Sequence, residues 1–334
     1  MRHIKRLYCT HRHVAKSVCI SKCTDIFTNL ALEDWLYQNR DFTHSHLLMF
    51  WRNEPCVVIG RHQNPWLECN FAALPCIENG VKLARRNSGG GTVYHDLENL
   101  NLTFFTGRSE YSRRSNLEVI SRSLKNSFNI ETKINEREDL CIKQSKISGT
   151  ASKLGRTSAY HHCTLLINSN KTNLSLALRN ILDCEVKTNA SVSVRSKIMN
   201  LSEVIPDVTV EGVMKAILLE YASKEIEIIE EIDENHFPGV GKIREMFESD
   251  SWRFLRTPKF TLFRNFSNGQ VFMEIDKGIV TDLGVSVHVD DVSASFQHLL
   301  GKRFSKLVLD EFELVVEGLQ HSKIGRISCN KSLK

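Results

Sequence analysis

The 334-residue sequence contains no run of roughly 18 consecutive apolar residues, so no segment reads as a helix that spans a bilayer. Its ten cysteines include no Cys-x-x-Cys pair, and Cys9, Cys19 and Cys23 fall close to the N-terminus. That scatter, with no secretory signal, argues against a zinc site or a disulfide framework and reads as reduced, mostly buried thiols. Gly-Lys-[Ser/Thr] is absent, which excludes a P-loop. The one glycine cluster is followed by a strand-like stretch, where a dinucleotide fingerprint requires a helix. No internal repeat or low-complexity segment stands out.

Acidic residues are missing from one place. Residues 1–24 carry Arg2, Lys5, Arg6, Arg12, Lys16 and Lys22 but neither Asp nor Glu. The formal charge is +5, so removing these six leaves −1 for the rest of the chain. A body so close to neutral offers no general attraction for nucleic acid. The basic, hydroxyl-containing leader lacks an apolar h-region, which is the composition of a mitochondrial presequence. The length suits about two domains. We therefore expect a presequence over 1–24, a first domain over 25–250 and a smaller one over 251–334.

What is present is patterned as α+β. Asn29 reads as the cap of a helix carrying Leu32, Trp35 and Leu36 at helical spacing. Residues 46–51 and 56–59 read as strands joined by a hairpin-like Arg52-Asn53-Glu54-Pro55. Strands are also expected over 82–86, 92–94, 102–105 and 161–167 and around Lys146-Ile147-Ser148. Leu117, Ile120, Leu124 and Phe128 mark an amphipathic helix, and two more are expected through Leu174 to Leu182 and Val210 to Tyr221. Beyond residue 250 the pattern gives strands over 259–266, 270–275 and 278–288, with Asn268-Gly269 as a hairpin junction, then helices over 292–300 and 304–319.

The densest chemistry lies in Arg85-Arg86-Asn87-Ser88-Gly89-Gly90-Gly91-Thr92-Val93-Tyr94-His95-Asp96. Consecutive glycines let a backbone approach a ligand closely, adopt positive φ and offer N–H groups to an anion or a carbonyl oxygen. Arg86 can add a fixed charge. The same glycines fit equally well a plain turn between hairpin strands. A second group is Lys146-Ile147-Ser148-Gly149-Thr150-Ala151-Ser152-Lys153. It places an ammonium where it can neutralise a phosphate and polarise an acyl carbonyl, although an isolated lysine also fits a solvated surface. Adjacent His161 and His162 on a strand point to opposite faces, so at most one meets a ligand and the two cannot share a metal. Cys163 lies on the face of His161. Neighbouring histidines can activate a thiol, but this arrangement offers no simple dyad with His162.

Read in order, Trp51-Arg52-Asn53, then Val57-Val58-Ile59-Gly60-Arg61-His62-Gln63-Asn64-Pro65-Trp66, then the two groups above and His161-His162, closely resemble the lipoate protein ligase and lipoyltransferase family. The likeness continues through Ser193-Val194-Arg195-Ser196 and Asn200-Leu201. It implies the biotin and lipoate ligase fold, a mixed sheet flanked by helices, followed by a smaller C-terminal α+β accessory domain. The activity it implies is transfer of a lipoyl group, carried as lipoyl-AMP, to the ε-amine of a lysine on a lipoyl domain. By the same resemblance Trp51, Arg86, Ser88, Gly89, Gly90, Gly91, His95, Asp139, Ser148, Gly149, Lys153 and His162 surround lipoyl-AMP. Lys146 contacts its carbonyl and phosphate as the catalytic residue. The mixed anhydride arrives activated, so positioning and oxyanion stabilisation suffice without a protein nucleophile.

Three positions depart from the family pattern. Cys163 replaces a glycine common in the bacterial ligases, as in mitochondrial animal transferases, and Lys153 stands where those ligases often have arginine. Glu98 replaces a glycine expected after His95-Asp96-Leu97, which questions the loop geometry near His95. With the basic leader, the first two favour a transferase of the mitochondrial matrix, fed by lipoyl-AMP or by lipoylated glycine-cleavage H protein. Its acceptors would be the E2 subunits of 2-oxoacid dehydrogenases. It would act as a monomer, without nucleic acid, membrane span or metal. The alternative is a complete ligase that adenylates lipoate itself and then needs ATP and magnesium. A cysteine-dependent octanoyltransferase working through Cys163 is a further alternative.

Overall fold

The computed structural model describes residues 14–322 except 72, 75–79, 180–181, 183, 224, 267–268 and 286–296. Its centre is a mixed sheet of β1 (Ala15–Ser21), β2 (Ser45–Trp51), β6 (Asn99–Gly107), β10 (Ser148–Leu154), β11 (Ser158–Leu166) and β13 (Glu225–Ile229). The spatial order is β10-β11-β6-β2-β1-β13. β1 runs parallel to β2 and β13, while β2, β6, β11 and β10 pair antiparallel in succession.

Side chains alternate across this sheet with period two. Cys19, Leu47, Met49, Trp51, Phe105 and Tyr160 enter one core, and Val18, Leu48, Phe50, Leu102, Phe104 and Cys163 enter the other. Both faces are covered, which is why β2 is apolar without a break from Leu47 to Trp51, whereas β6 places Asn101 and Thr103 on the first face between Leu100, Leu102 and Phe104 on the second. Helices α3 (Arg113–Phe128) and α5 (Val210–Tyr221) lie on the second face. Helices α1 (Ile26–Asn39) and α6 (Val240–Glu248) cover part of the first. The remainder of that first face is the floor of the site described below.

Three smaller sheets complete the fold. β3 (Cys56–Ile59) is flanked by β4 (Lys82–Arg85), parallel to it, and β5 (Val93–His95), antiparallel. β7 (Lys133–Ile134), β8 (Leu140–Ile142) and β9 (Ser145–Lys146) form a small antiparallel meander. β12 (Glu185–Thr188), β14 (Phe260–Phe266), β15 (Gly269–Asp276) and β16 (Ile279–Val285) form an antiparallel sheet whose core includes Phe312 and Val316 of α8 (Lys306–Ser322). Short helices α2 (Pro65–Glu68), α4 (Lys171–Ala177) and α7 (Asp250–Arg253) occupy connections. The α+β architecture, a mixed sheet flanked by helices with a smaller C-terminal unit, is the one expected.

Several local expectations change. Residues 15–21 are a strand of the central sheet with Val18 and Cys19 buried, so a presequence ending at residue 24 would remove a core strand. The basic composition misleads because Lys16 and Lys22 lie at the two ends of β1 while its middle is apolar; residues 1–13 lie outside the described residues. Asp25, not Asn29, caps α1, its carboxylate accepting from Thr28 N–H at 2.9 Å. Residues 52–55 join strands of different sheets, so they are no hairpin.

The expected boundary at 250 moves as well. β12 precedes it yet belongs to the second unit, whereas Trp252 lies in the first core. The guanidinium of Arg85, fully buried, donates to the carbonyls of Gln63, Trp252 and Arg253 and to Thr257 Oγ1. It is a cation coordinated by carbonyl and hydroxyl oxygens, and it fastens the chain to the first unit as far as Thr257. The 268–269 junction and the expected helix from 292 fall partly on residues outside those described.

Candidate active site

Strand register builds the floor. Gly149, Thr164, Asn101 and Trp51 stand side by side across β10, β11, β6 and β2, and Ala151, His162, Thr103 and Met49 form the next row on the same face. Above this floor is a cavity of about 340 Å³, lined among others by Leu30, Trp51, Val58, His95, Lys146 and His162. A second cavity of about 830 Å³ adjoins it and shares Lys146, Gly149 and Thr164 with the first.

The glycine run is not a hairpin turn. β4 and β5 lie on opposite edges of β3, so residues 86–92 must cross the end of β3. The crossing is tight: a Cβ on Gly60, just past β3, would meet Gly90 O at 2.2 Å. Of the three glycines only Gly90 has positive φ, +84°. Arg86 is buried beneath the loop and donates to Gly89 O, to Gly91 O at 2.7 Å and to Ser88 Oγ at 3.0 Å. Burial lowers its pKa to about 10. Its charge therefore shapes the loop from inside. The loop carbonyls are drawn toward the guanidinium.

Two buried networks stand behind the cavity. Ser88 Oγ lies 2.9 Å from His162 Nε2, and His162 Nδ1 lies 2.8 Å from Glu33 Oε1. The same carboxylate oxygen accepts from Thr103 Oγ1 at 2.7 Å, and Thr103 Oγ1 accepts from Trp51 Nε1 at 3.0 Å. Helix α1 is thus tied through one carboxylate to a ring nitrogen and a hydroxyl of the floor. In the second network Asn53 Nδ2 lies 2.9 Å from His95 Nδ1, and burial, reinforced by Arg86 and His162, pushes His95 down to about 3.

Lys146 stands on β9 with its Nζ 2.9 Å from Asp139 Oδ1. Its backbone is pinned by Lys197 O, which accepts from Lys146 N–H at 2.8 Å, while Lys146 O accepts from Met199 N–H at 3.0 Å. The segment 191–196 before this point borders both cavities. Ser193 fastens it: Oγ accepts from Thr92 N–H (2.8 Å) and Gln63 Nε2 (2.9 Å), and Ser193 N–H donates to Glu68 Oε1 (3.0 Å).

Trp51, Arg86, Gly90, Gly91, His95, Asp139, Lys146, Gly149 and His162 therefore meet around the first cavity, and Ser148 borders the second. Ser88 and Gly89 act behind the wall through Arg86 and His162. Lys153 is elsewhere: two residues beyond Ala151 on β10, its Nζ is bonded to Asp34 Oδ1 at 2.7 Å and lies over the Tyr37 ring. His161 and Cys163 point to the opposite face, as the strand period requires; His161 stacks on Phe104, and burial raises the Cys163 thiol to about 12. A buried thiol behind the sheet offers no thiolate to a ligand. Glu98 takes a non-positive φ, and its exposed position needs no glycine.

Sequence reasoning missed Glu33, Asp34 and Glu68, and it gave Asn53 and Gln63 no role although both lie within the quoted motifs. The acid pair Glu33-Asp34 inside the apolar stretch of α1 is a signal that could have been used. Glu68 carries none, since its partners Thr92 and Ser193 are distant in sequence.

A mixed sheet, a tight glycine crossover and an ion-paired lysine bordering two adjoining cavities make up the candidate site. The lipoyl protein ligase A/B catalytic-domain family matches residues 25–222, and the chain belongs to that family. It is 41% identical over 303 residues to the mitochondrial lipoyl amidotransferase of Mus musculus, covering 83% of this chain and 80% of that protein. To the mitochondrial lipoyl amidotransferase of Homo sapiens it is 44% identical over 250 residues, covering 72% and 66%. A P. falciparum crystal structure in complex with lipoate superposes with a TM-score of 0.64 at 26% identity, covering 92% of this chain and 98% of that one. The chain is an enzyme of this family, and its location is mitochondrial, as is that of both mammalian relatives.

Proposed function

We propose that this protein is a lipoyl amidotransferase that moves a lipoyl group from lipoyl-AMP to the ε-amine of a lysine on a lipoyl domain. One observation carries the reading: Lys146, ion-paired to Asp139, lines both the first cavity and the larger one adjoining it. The acyl chain occupies the first cavity along the floor and the adenylate lies toward the second. That puts the carbonyl–phosphate bond beside the Lys146 ammonium.

The acceptor amine, in its neutral form, attacks the lipoyl carbonyl carbon. A C–N bond forms, and negative charge gathers first on the carbonyl oxygen and then on the departing phosphate. The C–O bond to phosphate breaks, AMP leaves with the electron pair, and the nitrogen loses its proton to give the amide. Lys146 offers a positive charge to both oxygens in turn, and Asp139 holds that ammonium in place before the ligand arrives. Gly90 lets the loop lie close to the ligand, and the Arg86-supported carbonyls keep it rigid.

Acceptors would be the lipoyl domains of E2 subunits and the glycine-cleavage H protein, met by a monomer. Lipoylated H protein is a second donor in this reading; the exchange then releases the H-protein lysine instead of AMP. The higher identity to amidotransferases supports transfer over a complete ligase. The test is to incubate purified protein with an apo lipoyl domain and lipoate plus Mg-ATP, lipoyl-AMP or lipoylated H protein, reading acceptor mass. Transfer from lipoyl-AMP or H protein but not from lipoate plus ATP is expected. Equal or better transfer from lipoate plus ATP would identify a ligase that makes its own adenylate.

A further inference from the structure

Three consecutive glycines cannot hold their own place at a cavity wall, since they carry no side chain and have the most backbone freedom to lose. Gly90 and Gly91 nonetheless line the first cavity, so the crossover is placed by what grips its flanks. After the glycines, Thr92 Oγ1 lies 2.9 Å from Gln63 Oε1 and 3.1 Å from Glu68 Oε2. Before them, the consecutive residues Asn87 and Ser88 both lead to α1, to its consecutive acids Asp34 and Glu33.

Asn87 Nδ2 donates to Asp34 Oδ1 at 2.9 Å. Its amide is oriented from both sides, because Asn87 Oδ1 accepts from the Arg61 guanidinium, which can only donate, and the Asp34 carboxylate can only accept. Lys153 Nζ donates to the same Asp34 oxygen at 2.7 Å, so the buried carboxylate has its counter-charge. Ser88 is held through an intermediary. Glu33 Oε1 faces His162 Nδ1 at 2.8 Å and, as an acceptor, keeps the ring proton on that nitrogen. His162 Nε2 then accepts from the Ser88 hydroxyl at 2.9 Å, while Ser88 Oγ takes Arg86 Nε–H at 3.0 Å. Glu33 and Asp34 are 2% and 3% exposed, and neither lines the first cavity, so each acts only through these partners.

We infer that the acid pair Glu33-Asp34 is a clamp that positions the glycine crossover against the donor. Both are positioning residues for donor binding, and Lys153 joins them as the counter-charge of Asp34. The glycines meet the ligand, and the clamp sets where they stand. Glu33 has a second arm, since its Oε1 also accepts from Thr103 Oγ1 at 2.7 Å and Thr103 Oγ1 accepts from Trp51 Nε1. Its loss therefore reaches the floor as well as the loop. The identity of the donor rests on the lipoyl-transfer reading above.

The test measures kcat and KM for lipoyl-AMP in wild type, Asn87→Ala, Asp34→Ala, Asp34→Asn and Glu33→Leu, with Cys163→Ala as a core truncation remote from the crossover. KM does not depend on what fraction of a variant is folded, so a purely structural loss leaves it unchanged. Asn87→Ala and Asp34→Ala should each raise KM about tenfold with kcat within about threefold, the scale of a slightly misplaced binding contact. Asp34→Asn keeps an oxygen for Asn87 and should recover most of that loss, whereas Glu33→Leu should raise KM at least as far as Asp34→Ala. In a Gly90→Ala background Asn87→Ala should add little, because both act at one loop. Unchanged KM in Asn87→Ala, full additivity with Gly90→Ala, or an equal rise in Cys163→Ala would overturn the inference. Asn87→Ala alters only the loop side of the contact, so it decides the matter even where the α1 variants do not fold. Calorimetric binding of free lipoate repeats the comparison without turnover. Absence of transfer by wild type, with lipoate affinity reduced in Asn87→Ala and Asp34→Ala but not in Cys163→Ala, would instead overturn the transferase reading and leave the clamp standing.

Discussion

Lys146 Nζ and Asp139 Oδ1 lie 2.9 Å apart, joined across the short meander in which β8 begins directly after Asp139 and β9 ends at Lys146. The carboxylate is nearly buried while the ammonium keeps a quarter of its side chain accessible, so the pair presents its positive member to the cavities. Removing the cation should cost what removal of an oxyanion stabiliser usually costs. Lys146→Ala is expected to lower acyl transfer by about 100-fold or more, mainly in kcat. Asp139→Asn should cost less, roughly tenfold, because the cation remains but loses its anchor. Single-turnover transfer from lipoyl-AMP measures both, and near-normal transfer by Lys146→Ala would remove the assignment.

The three glycines should not be equivalent. At Gly90, φ is +84° and a Cβ would lie 3.0 Å from Arg86 Nη2 and 3.2 Å from Ala151 Cβ. At Gly89 nothing lies within 4 Å and no unusual φ is required. Gly90→Ala is therefore expected to raise KM for lipoyl-AMP about tenfold or more, while Gly89→Ala stays within about threefold of wild type. Equal effects at both positions would mean that close approach at Gly90 is unimportant.

Cys163→Ala should retain transfer within about threefold and lose stability by about 1–2 kcal/mol, the scale of a small core truncation. The thiol belongs to the core beneath α3, on the far side of β11 from the cavity, and burial holds it protonated. Loss of transfer in a folded Cys163→Ala protein would reinstate the thiol as nucleophile.

His95 should make the protein acid-sensitive. Folded, its pKa is about 3; unfolded, it returns to about 6.5, so below that value the unfolded chain binds a proton that the folded one refuses. Its contribution is complete above pH 6.5 and is lost progressively as pH falls toward 3, by about 2 kcal/mol already at pH 5. Buried His161 acts in the same sense. Denaturant unfolding at pH 7 and pH 5 should show this loss, and His95→Gln should flatten the dependence. An identical pH slope in that variant would show that His95 is protonated equally in both states.

Much of the site was readable because its motifs are local. Gly90, Lys146 and Gly149 sit in short runs whose residue types announce close backbone approach or anion contact, and the period of two correctly sent His162 and Cys163 to opposite faces. What escaped is what needs partners far along the chain. Lys153 has the look of a ligand lysine beside Ala151, yet Asp34, 119 residues earlier, takes it. Arg85 and Arg86 are indistinguishable as letters; one fastens the chain leaving α7, and the other holds the glycine crossover. Asn29 looked like a cap because a helix follows it, but Asp25 is nearer the first turn and Asn29 is drawn into the network behind His95.

By itself the sequence determined the α+β class, most strand and helix positions, the glycine loop, the central lysine and the family, since all of these depend on side-chain period, turn chemistry and contiguous motifs. Only the tertiary structure decided that residues 15–21 are a core strand and that the glycine loop crosses a third strand. It alone also decided that Asp34 takes Lys153 and that Asn53 lies against His95 Nδ1. Those outcomes depend on register between strands distant in sequence and on hydrogen-bond orientation inherited through several buried side chains. No local pattern of residues encodes either one.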